Sequence, residues 1–433
     1  MQWSLVNSLD QADRRDFLAY VARSCLGVTA AGVGSGLFTG ASRVIAAPTG
    51  AVKNVVYLRM TGAMTHIDTF DPKPGKPEGG ETKPIQTATT GIQIGEHLPL
   101  LAKQTQHMAI VRSLTTSTAD HQQASYLLQT SYREIASIRH PAMGAFANKL
   151  LGLRKKSLPD YIVVGAANKH PGAGYLEAEY TPVPIGDPNL GLQNTKAPKY
   201  LTDQAFDKRM QLIDQFSANF RKKYPQKQVE AYQEFYRQAN DLMDSSDLKV
   251  FDLTQEKQEV RDKYGKDRFG QGCLLARRLV EKDTRWIEVS FGNWDMHDGI
   301  YEDNALPARS AVLDQGMSAL LTELQEKGLL AHTLVVLATE FGRSPKINER
   351  AGRDHHPGVF SGVLAGAGIK GGIVYGQSDD KGFRPEKDGC SVTDFNATIA
   401  QAMGLPIMKE ITAKNGRPFK VAGEGKPIAG VLA

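Results

Sequence analysis

Apolar residues occur in short runs along this chain, separated by polar segments rich in Gly and Pro. Apolar runs of roughly four to eight residues with polar boundaries are typical of strands buried on both faces of a sheet. The pattern predicts strands at residues 53–59, 108–112, 159–165, 286–292 and 334–338. Strands of this kind, alternating with helical segments, indicate an α/β fold.

A helix is predicted at residues 311–328, between the last two of these strands. Its apolar residues recur on one stripe at the helical period of about 3.6 residues, and Gly328 ends it. A strand, a crossover helix and a parallel strand form a right-handed unit. The carboxyl ends of strands 286–292 and 334–338 are therefore expected at the same edge of the sheet.

Residues 47–433 are predicted to form one large α/β domain, because they contain no clean Pro/Ser linker and no internal repeat. The charged, helical pattern at about 200–278 predicts a mainly helical insertion that covers one side of the sheet. Aromatic residues recur in this segment near helical spacing, which is typical of a helical core rather than of a ligand site. These residues are Phe216, Phe220, Tyr224, Tyr232 and Phe235.

The first 46 residues predict the cellular compartment. Arg14 and Arg15 precede a mildly apolar, Gly/Ala-rich stretch at 25–41, as in a twin-arginine export signal, and cleavage is expected after Ala46. A short membrane anchor is the alternative, which the Gly content and short length of the stretch disfavour. No later segment has the length to span a bilayer. We therefore expect a periplasmic or extracellular bacterial protein.

The overall charge of the chain does not indicate a binding partner. The chain has 52 basic and 47 acidic residues and a formal charge of +5, and removal of residues 1–46 takes away four basic and three acidic residues and leaves +4. Basic residues form no stripe interleaved with aromatics, so no nucleic-acid partner is expected. Cys273 and Cys390 remain in the mature chain. They could form a disulfide in an oxidising compartment, and two buried free thiols are the equal alternative.

Acidic and imidazole side chains follow the last two predicted strands: Asp295, His297, Glu340, His355 and His356. Open α/β sheets have their active sites at the carboxyl ends of the strands. Carboxylates and neutral imidazoles are ligands of zinc and of other borderline divalent ions. These five residues are therefore candidate metal ligands.

Two earlier loops contain further candidate residues. The loop after the first strand carries His66 and Asp68, which fit either a ligand pair or an ordinary polar turn. After strand 108–112, the hydroxyl-rich segment 113–118 leads to His121, where a helix is predicted to begin. Helix starts offer unpaired amides to an anion. His121 itself fits a metal ligand or a residue of the helix start.

The order of elements from Trp286 to Gly372 resembles the carboxyl-terminal half of the alkaline phosphatase and sulfatase superfamily. More closely, nearly the whole chain resembles the family called domain of unknown function 1501. The motifs of this closer resemblance are Arg14-Arg15-Asp-Phe-Leu, His66-Ile-Asp68-Thr-Phe-Asp-Pro-Lys-Pro, Trp294-Asp-Met-His297, Glu340-Phe-Gly-Arg343 and Gly352-Arg-Asp-His355. The set of motifs is specific, whereas each motif alone is weak.

The superfamily resemblance implies a three-layer α/β/α alkaline phosphatase-like sheet that carries the helical insertion. It also implies a two-metal centre for phosphoryl or sulfuryl transfer. Carried over motif by motif, the two ion sites would be formed by Asp295, His297 and His355 or His356, and by Asp68 with Glu340. The expected cofactor is one or two divalent ions, with zinc as the best match and manganese or calcium as alternatives.

The resemblance further implies a hydroxyl nucleophile and a group that binds the substrate. The nucleophile would lie among residues 115–118, with Thr116 and Ser117 as the leading candidates. Arg343 would contact the substrate's anionic oxygens, because a guanidinium matches phosphate or sulfate in a bidentate way. The chain lacks the Cys/Ser-x-Pro-x-Arg sequence from which sulfatases make formylglycine. An orthodox sulfatase mechanism is therefore not expected.

The chain departs from the superfamily at Phe341, where a histidine usually follows the second acidic residue. His121 or His66 could supply this imidazole, or the centre could hold one ion. The expected function is an exported metal-dependent hydrolase of phosphate or sulfate esters, with a sulfated or phosphorylated saccharide as a candidate substrate. The alternative is a non-catalytic metal-binding or assembly protein that keeps the same fold.

Overall fold

A computed structural model describes residues 52–154, 157–165, 169–193 and 245–433, together with six helical positions between residues 204 and 215. The predicted export signal lies outside the described residues. Much of the predicted helical insertion, including its five aromatic residues, also lies outside them. The division of the chain into a signal, one domain and an insertion therefore stays a prediction.

Strands make up the centre of the described part of the chain. They are β1 Asn54–Met60, β2 Pro84–Gln86, β3 Gln93–Gly95, β4 Met108–Thr115, β5 Tyr161–Val164, β6 Val183–Ile185, β7 Trp286–Phe291, β8 Thr333–Thr339, β9 Gly342–Ile347, β10 Arg353–His356, β11 Phe360–Gly366, β12 Ile373–Tyr375, β13 Gln377–Ser378, β14 Pro385–Lys387, β15 Cys390–Ser391, β16 Ile411–Thr412 and β17 Pro418–Phe419. All five predicted strands are present, as β1, β4, β5, β7 and β8.

The described α-helices are α1 Pro99–Ala102, α2 His121–Thr130, α3 Met143–Leu151, α4 Gln258–Lys263, α5 Arg268–Glu281, α6 Leu306–Glu326 and α7 Val392–Ala402. Short 3-10 helices lie at Pro77–Gly79, Thr105–His107, Ala178–Tyr180, Ser246–Phe251, Leu253–Gln255, Leu330–His332 and Ala429–Val431. The predicted helix 311–328 is α6. It begins earlier than predicted, because Pro307 fits the first turn of a helix, and Gly328 follows its end with φ of +69°.

In the described part of the chain the main sheet has nine strands, eight in the order β12-β4-β11-β8-β1-β7-β5-β6 and a ninth, β15, which pairs with β4 on its β12 side. All neighbouring strands are parallel except the pairs that β11 makes with β4 and β8. Strands β7 and β8 are parallel, as predicted from the crossover helix, but β1 lies between them. Their carboxyl ends therefore meet on either side of the end of β1.

Two hydrophobic cores cover the two faces of the sheet. Alternate residues of β1 face opposite sides: Val56 and Leu58 belong to the core of α5 and α6, whereas Val55 and Tyr57 belong to the core of α2, α3 and α7. This alternation follows from the two-residue period of a strand. The structure confirms the predicted three-layer α/β/α architecture. Cys273 and Cys390 lie in different cores as buried free thiols.

His140 is a buried neutral imidazole whose protonation opposes folding. Its ring stacks on Tyr132, and its Nδ1 lies 3.0 Å from the Tyr126 hydroxyl. Burial lowers the pKa of His140 from 6.5 to about 4. The unfolded chain therefore binds a proton that the folded chain excludes, so stability is full above pH 6.5 and falls between pH 6.5 and 4. The expected loss is about 1.4 kcal/mol for each pH unit in this window.

Urea unfolding of His140→Gln at pH 7.5 and pH 5 measures this effect. The variant is expected to lose less stability on acidification than the unsubstituted protein. His332→Gln is the control, because His332 is exposed at the surface. An unchanged pH dependence in His140→Gln would contradict the assignment.

Candidate metal centre

Glu340 joins the ends of β1 and β8 at the carboxyl edge of the sheet. Its Oε1 accepts hydrogen bonds from the backbone amides of Gly62 and Ala63, at 2.8 and 3.2 Å. The side chain is almost fully buried, with 1% of the residue exposed. Gly62 has φ of +105°, a conformation that glycine adopts without strain. Main-chain donors therefore fix the position of the Glu340 carboxylate independently of its contact with an imidazole.

The segment Asp295–His297, which follows β7, is approached closely by two glycines. A Cβ atom on Gly62 would lie 2.6 Å from the Asp295 backbone nitrogen, and one on Gly352 would lie 2.0 Å from the carbonyl carbon and oxygen of His297. Real Cβ atoms do not make contacts this short. The absence of side chains at both positions therefore lets the β1 loop and the β9–β10 turn pack on the segment that carries Asp295 and His297.

We expect Gly352→Ala to displace the His297 backbone and to destabilise the protein by about 1–3 kcal/mol, the usual cost of overpacking. Urea unfolding measures this loss. Gly186→Ala is the matched control, because its added Cβ would meet no atom within 4 Å. Equal stability of the two variants would contradict the tight packing described here.

His121 is the first residue of α2, directly after the N-cap residue Asp120. Its Nδ1 lies 2.8 Å from Glu340 Oε1, and this hydrogen bond raises the pKa of His121. The other ring nitrogen, Nε2, lies 3.1 Å from His355 Nε2 and 3.4 Å from Asp295 Oδ1. Glu340 therefore orients His121 so that Nε2 faces Asp295 and His355.

His355 enters the cluster from β10. Its Nδ1 lies 2.8 Å from the carbonyl oxygen of Ala119, and its Nε2 lies 3.2 Å from Asp295 Oδ1. Successive residues of a strand point to opposite faces. The next residue, His356, accordingly points away, with its Nε2 2.7 Å from the carbonyl oxygen of Phe383. Of the two adjacent imidazoles, the structure brings His355 into the cluster and places His356 outside it.

The side chains of His121 and His355 both contact Asp295. One ligand atom each from His121, Asp295 and His355 lies within 4.8 Å of the other two. Burial opposes the ionisation of Asp295, but the hydrogen bonds from Arg343 and His355, together with the charges of Arg343 and His121, outweigh it and lower the pKa of the carboxyl to about 2. The Asp295 side chain remains 46% exposed. The cluster is therefore anionic and open to solvent.

His297 contacts Asp295 from another side. Its Nε2 lies 3.0 Å from Asp295 Oδ1, and its Nδ1 lies 3.1 Å from Asp354 Oδ1. Asn348 donates one hydrogen bond to Asp354 and one to the His297 carbonyl oxygen, each at 3.0 Å. Asp354 and Asn348 were not among the predicted site residues. Only the fold of the β9–β10 hairpin brings them to His297.

Arg343 is completely buried beside the cluster, with every donor engaged. Its Nε donates to the Ala63 carbonyl at 2.9 Å, and Nη1 contacts the Arg353 carbonyl at 3.1 Å and His297 Nε2 at 3.2 Å. Nη2 donates to the Gly62 carbonyl and to Asp295. These five contacts use the five N–H groups of a guanidinium. The arrangement differs from the predicted contact with substrate oxygens, since no donor is left over.

Three other predicted ligands lie outside the cluster: His66, Asp68 and His356. Asp68 is fully buried in an ion pair with Arg353, whose Nε lies 2.7 Å from Asp68 Oδ2. Asp68 also accepts hydrogen bonds from Tyr301 and Thr82 at 2.8 Å. His66 is fully buried, and its Nε2 lies 3.0 Å from the Gly382 carbonyl oxygen. Desolvation lowers the pKa of His66 to about 4, so this imidazole is neutral at pH 7.

The predicted nucleophile candidates lie on the loop between β4 and α2. The Thr116 backbone amide donates to the Pro357 carbonyl at 3.1 Å, and among the described residues its buried hydroxyl has no hydrogen-bond partner. Ser117 is exposed to solvent. The loop reaches the cluster through the Ala119 carbonyl, which binds His355. Thr116 and Ser117 are therefore close in sequence to the residues of the cluster, but neither hydroxyl makes a hydrogen bond to a ligand atom of the cluster.

The fold and this cluster define an α/β/α protein with a histidine and aspartate centre at the carboxyl edge of its sheet. The chain belongs to the family described as "Protein of unknown function (DUF1501)", whose model matches residues 52–432. This match confirms the family resemblance predicted from the motifs. No curated protein sequence matches the chain.

Solved structures similar to the chain include Ps i-CgsB, at 12% identity, with 87% of this chain and 75% of that chain covered and a TM-score of 0.41. PsFucS1 sulfatase from Pseudoalteromonas sp. is 13% identical, with 82% and 68% covered and a TM-score of 0.35. The alkaline phosphatase of the Antarctic bacterium TAB5 is 12% identical, with 73% and 92% covered and a TM-score of 0.33. Within the described ranges, no helix combines the length and apolar character that a membrane span requires.

Proposed function

We propose that this protein is an exported metal-dependent hydrolase of phosphate or sulfate esters. The observation that carries the proposal is the convergence of His121 Nε2, His355 Nε2 and Asp295 Oδ1 at an open edge of the sheet. The export part of the proposal rests on residues 1–46. Subcellular fractionation of the expressing cells tests that part separately.

The spacing of the three ligand atoms fits a tetrahedral ion. They are separated by 3.1, 3.2 and 3.4 Å. Zinc bonds of about 2.0–2.1 Å at tetrahedral angles place neighbouring ligand atoms about 3.3 Å apart. Three protein ligands with a fourth position open are typical of a catalytic zinc site. Zinc therefore fits best, and manganese or calcium are the alternatives.

The hydrogen bonds around the two imidazoles also fit a metal centre. Glu340 and the Ala119 carbonyl each accept from an Nδ1 atom, which leaves the Nε2 lone pairs of His121 and His355 facing each other. Metal-binding histidines are usually oriented in this way by a carboxylate or a carbonyl. Two nitrogen lone pairs 3.1 Å apart repel each other unless a proton or a metal ion lies between them.

When bound, a divalent ion would polarise an ester oxygen and lower the pKa of a coordinated water. The protein's own residues prepare the site for this chemistry. His121, His355 and Asp295 would hold the ion, and Glu340 and Ala119 keep the imidazoles oriented. A phosphate or sulfate ester supplies an anionic group of the kind that such a centre takes. Sulfated or phosphorylated saccharides are a candidate substrate class.

Elemental analysis and hydrolysis assays of the purified mature chain test the proposal. We expect bound divalent metal and hydrolysis of an aryl phosphate or an aryl sulfate. The hydrolysis should disappear with a chelator and return with zinc or manganese. A protein that binds no divalent ion, or a metal-loaded protein that hydrolyses neither ester, would overturn the proposal.

A second candidate function is a non-catalytic metal-binding or assembly protein that keeps this fold. Two observations favour it: the Thr116 and Ser117 hydroxyls make no hydrogen bond to the described cluster, and Arg343 has no donor free for a substrate. Metal content and ester hydrolysis separate the two candidates. A full complement of metal without turnover of either ester would identify the non-catalytic protein.

A further inference from the structure

We propose that Arg343 is a fixed internal cation that excludes His297 from the ligand set and limits the centre to one metal ion. This inference rests on the proposed metal centre and specifies how many ions it takes. It makes Arg343 a positioning residue, because the guanidinium contacts Asp295 and His297 and leaves no donor for a substrate.

Both ring nitrogens of His297 are already occupied by protein groups. Nδ1 faces Asp354 at 3.1 Å, and Nε2 lies 3.2 Å from Arg343 Nη1 and 3.0 Å from Asp295 Oδ1. Asp354 accepts the proton on Nδ1, and a guanidinium nitrogen can only donate, so in the neutral ring the Nε2 lone pair of His297 accepts the hydrogen bond from Arg343. A lone pair that accepts a proton donor cannot bind a metal ion at the same time. All three Nε2 atoms, of His121, His297 and His355, lie within 3.4 Å of Asp295 Oδ1, but among the described contacts only the Nε2 of His297 also lies within hydrogen-bond distance of an Arg343 donor.

Arg343 is immobile because its donors reach three backbone carbonyls. Two of these carbonyls, of Gly62 and Ala63, follow β1, and the third belongs to Arg353 on β10. The side chain has no exposed surface. Rotating it away from the cluster would leave these buried carbonyls without a donor, at a cost of about 1–3 kcal/mol for each. The Arg343 guanidinium is therefore a fixed structural part of the site.

The charges of the cluster balance with one divalent ion. Three carboxylates contact its imidazoles, those of Asp295, Glu340 and Asp354, and Arg343 supplies one positive charge. The cluster is therefore left with two negative charges, which one divalent ion neutralises. A second ion would leave an excess of positive charge beside a guanidinium that cannot lose its proton. Arg343 occupies the place where such an ion would need Asp295 and His297 as ligands.

Metal stoichiometry of the mature chain, incubated with excess Zn²⁺ and then desalted, is the first test. We expect one ion for each chain. Two tightly bound ions would overturn this inference while leaving the proposed hydrolase intact. No bound ion would overturn the metal centre itself and this inference with it.

His297→Gln is the deciding variant, and the Co²⁺-loaded protein gives a readout independent of activity. We expect His297→Gln to keep one ion and the same visible absorption bands of Co²⁺, because no ligand is lost. As an orienting neighbour of Asp295, His297 should affect the affinity by about 10-fold to 100-fold at most. His355→Gln is the matched comparison and should change or abolish the Co²⁺ bands. Altered bands in His297→Gln would show that His297 is a ligand and would overturn the inference.

Arg343→Met removes the group that is proposed to limit the centre to one metal ion. Removing the guanidinium frees His297 Nε2 and the side of Asp295 that it covers. In the folded variant we therefore expect a second Zn²⁺ ion to bind at excess metal. A folded variant that still binds one ion would show that Arg343 does not set the stoichiometry.

Discussion

His355→Ala is expected to remove the bound metal and to lower ester hydrolysis by at least about 100-fold, whereas His356→Ala should keep both. An outer-shell partner of a metal site already accounts for about 10-fold to 100-fold in affinity or activity, and His355 is proposed to bind the ion directly. The two imidazoles are neighbours in the chain, but His355 Nε2 lies 3.2 Å from Asp295 and His356 Nε2 faces the Phe383 carbonyl.

His356→Ala is a matched control for His355→Ala, because each variant replaces one partly exposed imidazole of β10 with Ala. Elemental analysis and the aryl ester assay measure the two outcomes. Circular dichroism confirms that both variants are folded. Equal metal content in the two variants, or loss of metal in His356→Ala alone, would refute the assignment of His355 as the ligand.

Arg353→Met is expected to reduce the free energy of unfolding by about 3–5 kcal/mol, because it leaves the Asp68 carboxylate buried without its partner. Both side chains of this ion pair are fully buried, with Arg353 Nε 2.7 Å from Asp68 Oδ2 and Nη2 3.1 Å from Oδ1. Arg350→Met is the control. Arg350 forms a surface pair with Asp298 at 2.8 Å, and both partners are about two-thirds exposed. This control should lose less than about 1 kcal/mol.

Urea unfolding at pH 7 measures both variants, and the double variant Asp68→Asn with Arg353→Met should recover part of the loss. Elemental analysis of Asp68→Asn tests the predicted role of Asp68 as a metal ligand. Because Asp68 is paired with Arg353, we expect the metal content of this variant to equal that of the unsubstituted protein. An Arg353→Met variant as stable as Arg350→Met would contradict the buried ion pair.

Much of the fold could be predicted from the sequence because its signals are local. The apolar run 334–338 and the stripe of α6 each follow a short repeat that depends on neighbouring residues alone. The strand-end positions of Asp295 and Glu340 then followed from the rule that parallel strands open at one edge. The histidines of β10 were candidate ligands by residue type and by their position after β8, and the match over residues 52–432 confirms the family that the motifs indicated.

The partners of each side chain could not be predicted in the same way, because they are distant in the chain. His121 meets Glu340 across 219 positions, and Asp68 meets Arg353 across 285. Nothing in the sequence near Asp68 shows that a buried guanidinium neutralises it. The polar loop around Asp68 therefore fitted a metal ligand and an ordinary polar turn about equally well, and the ion pair with Arg353 was not predicted.

By itself the sequence determined the α/β class, the strands that end at the site, the family and a short set of candidate ligands. Only the tertiary structure selected His355 over His356, placed His121 between Glu340 and His355, and engaged every donor of Arg343. The reason is physical. Periodicity and turn chemistry act between residues close in the chain, whereas hydrogen bonds and ion pairs form between residues that the completed sheet brings together.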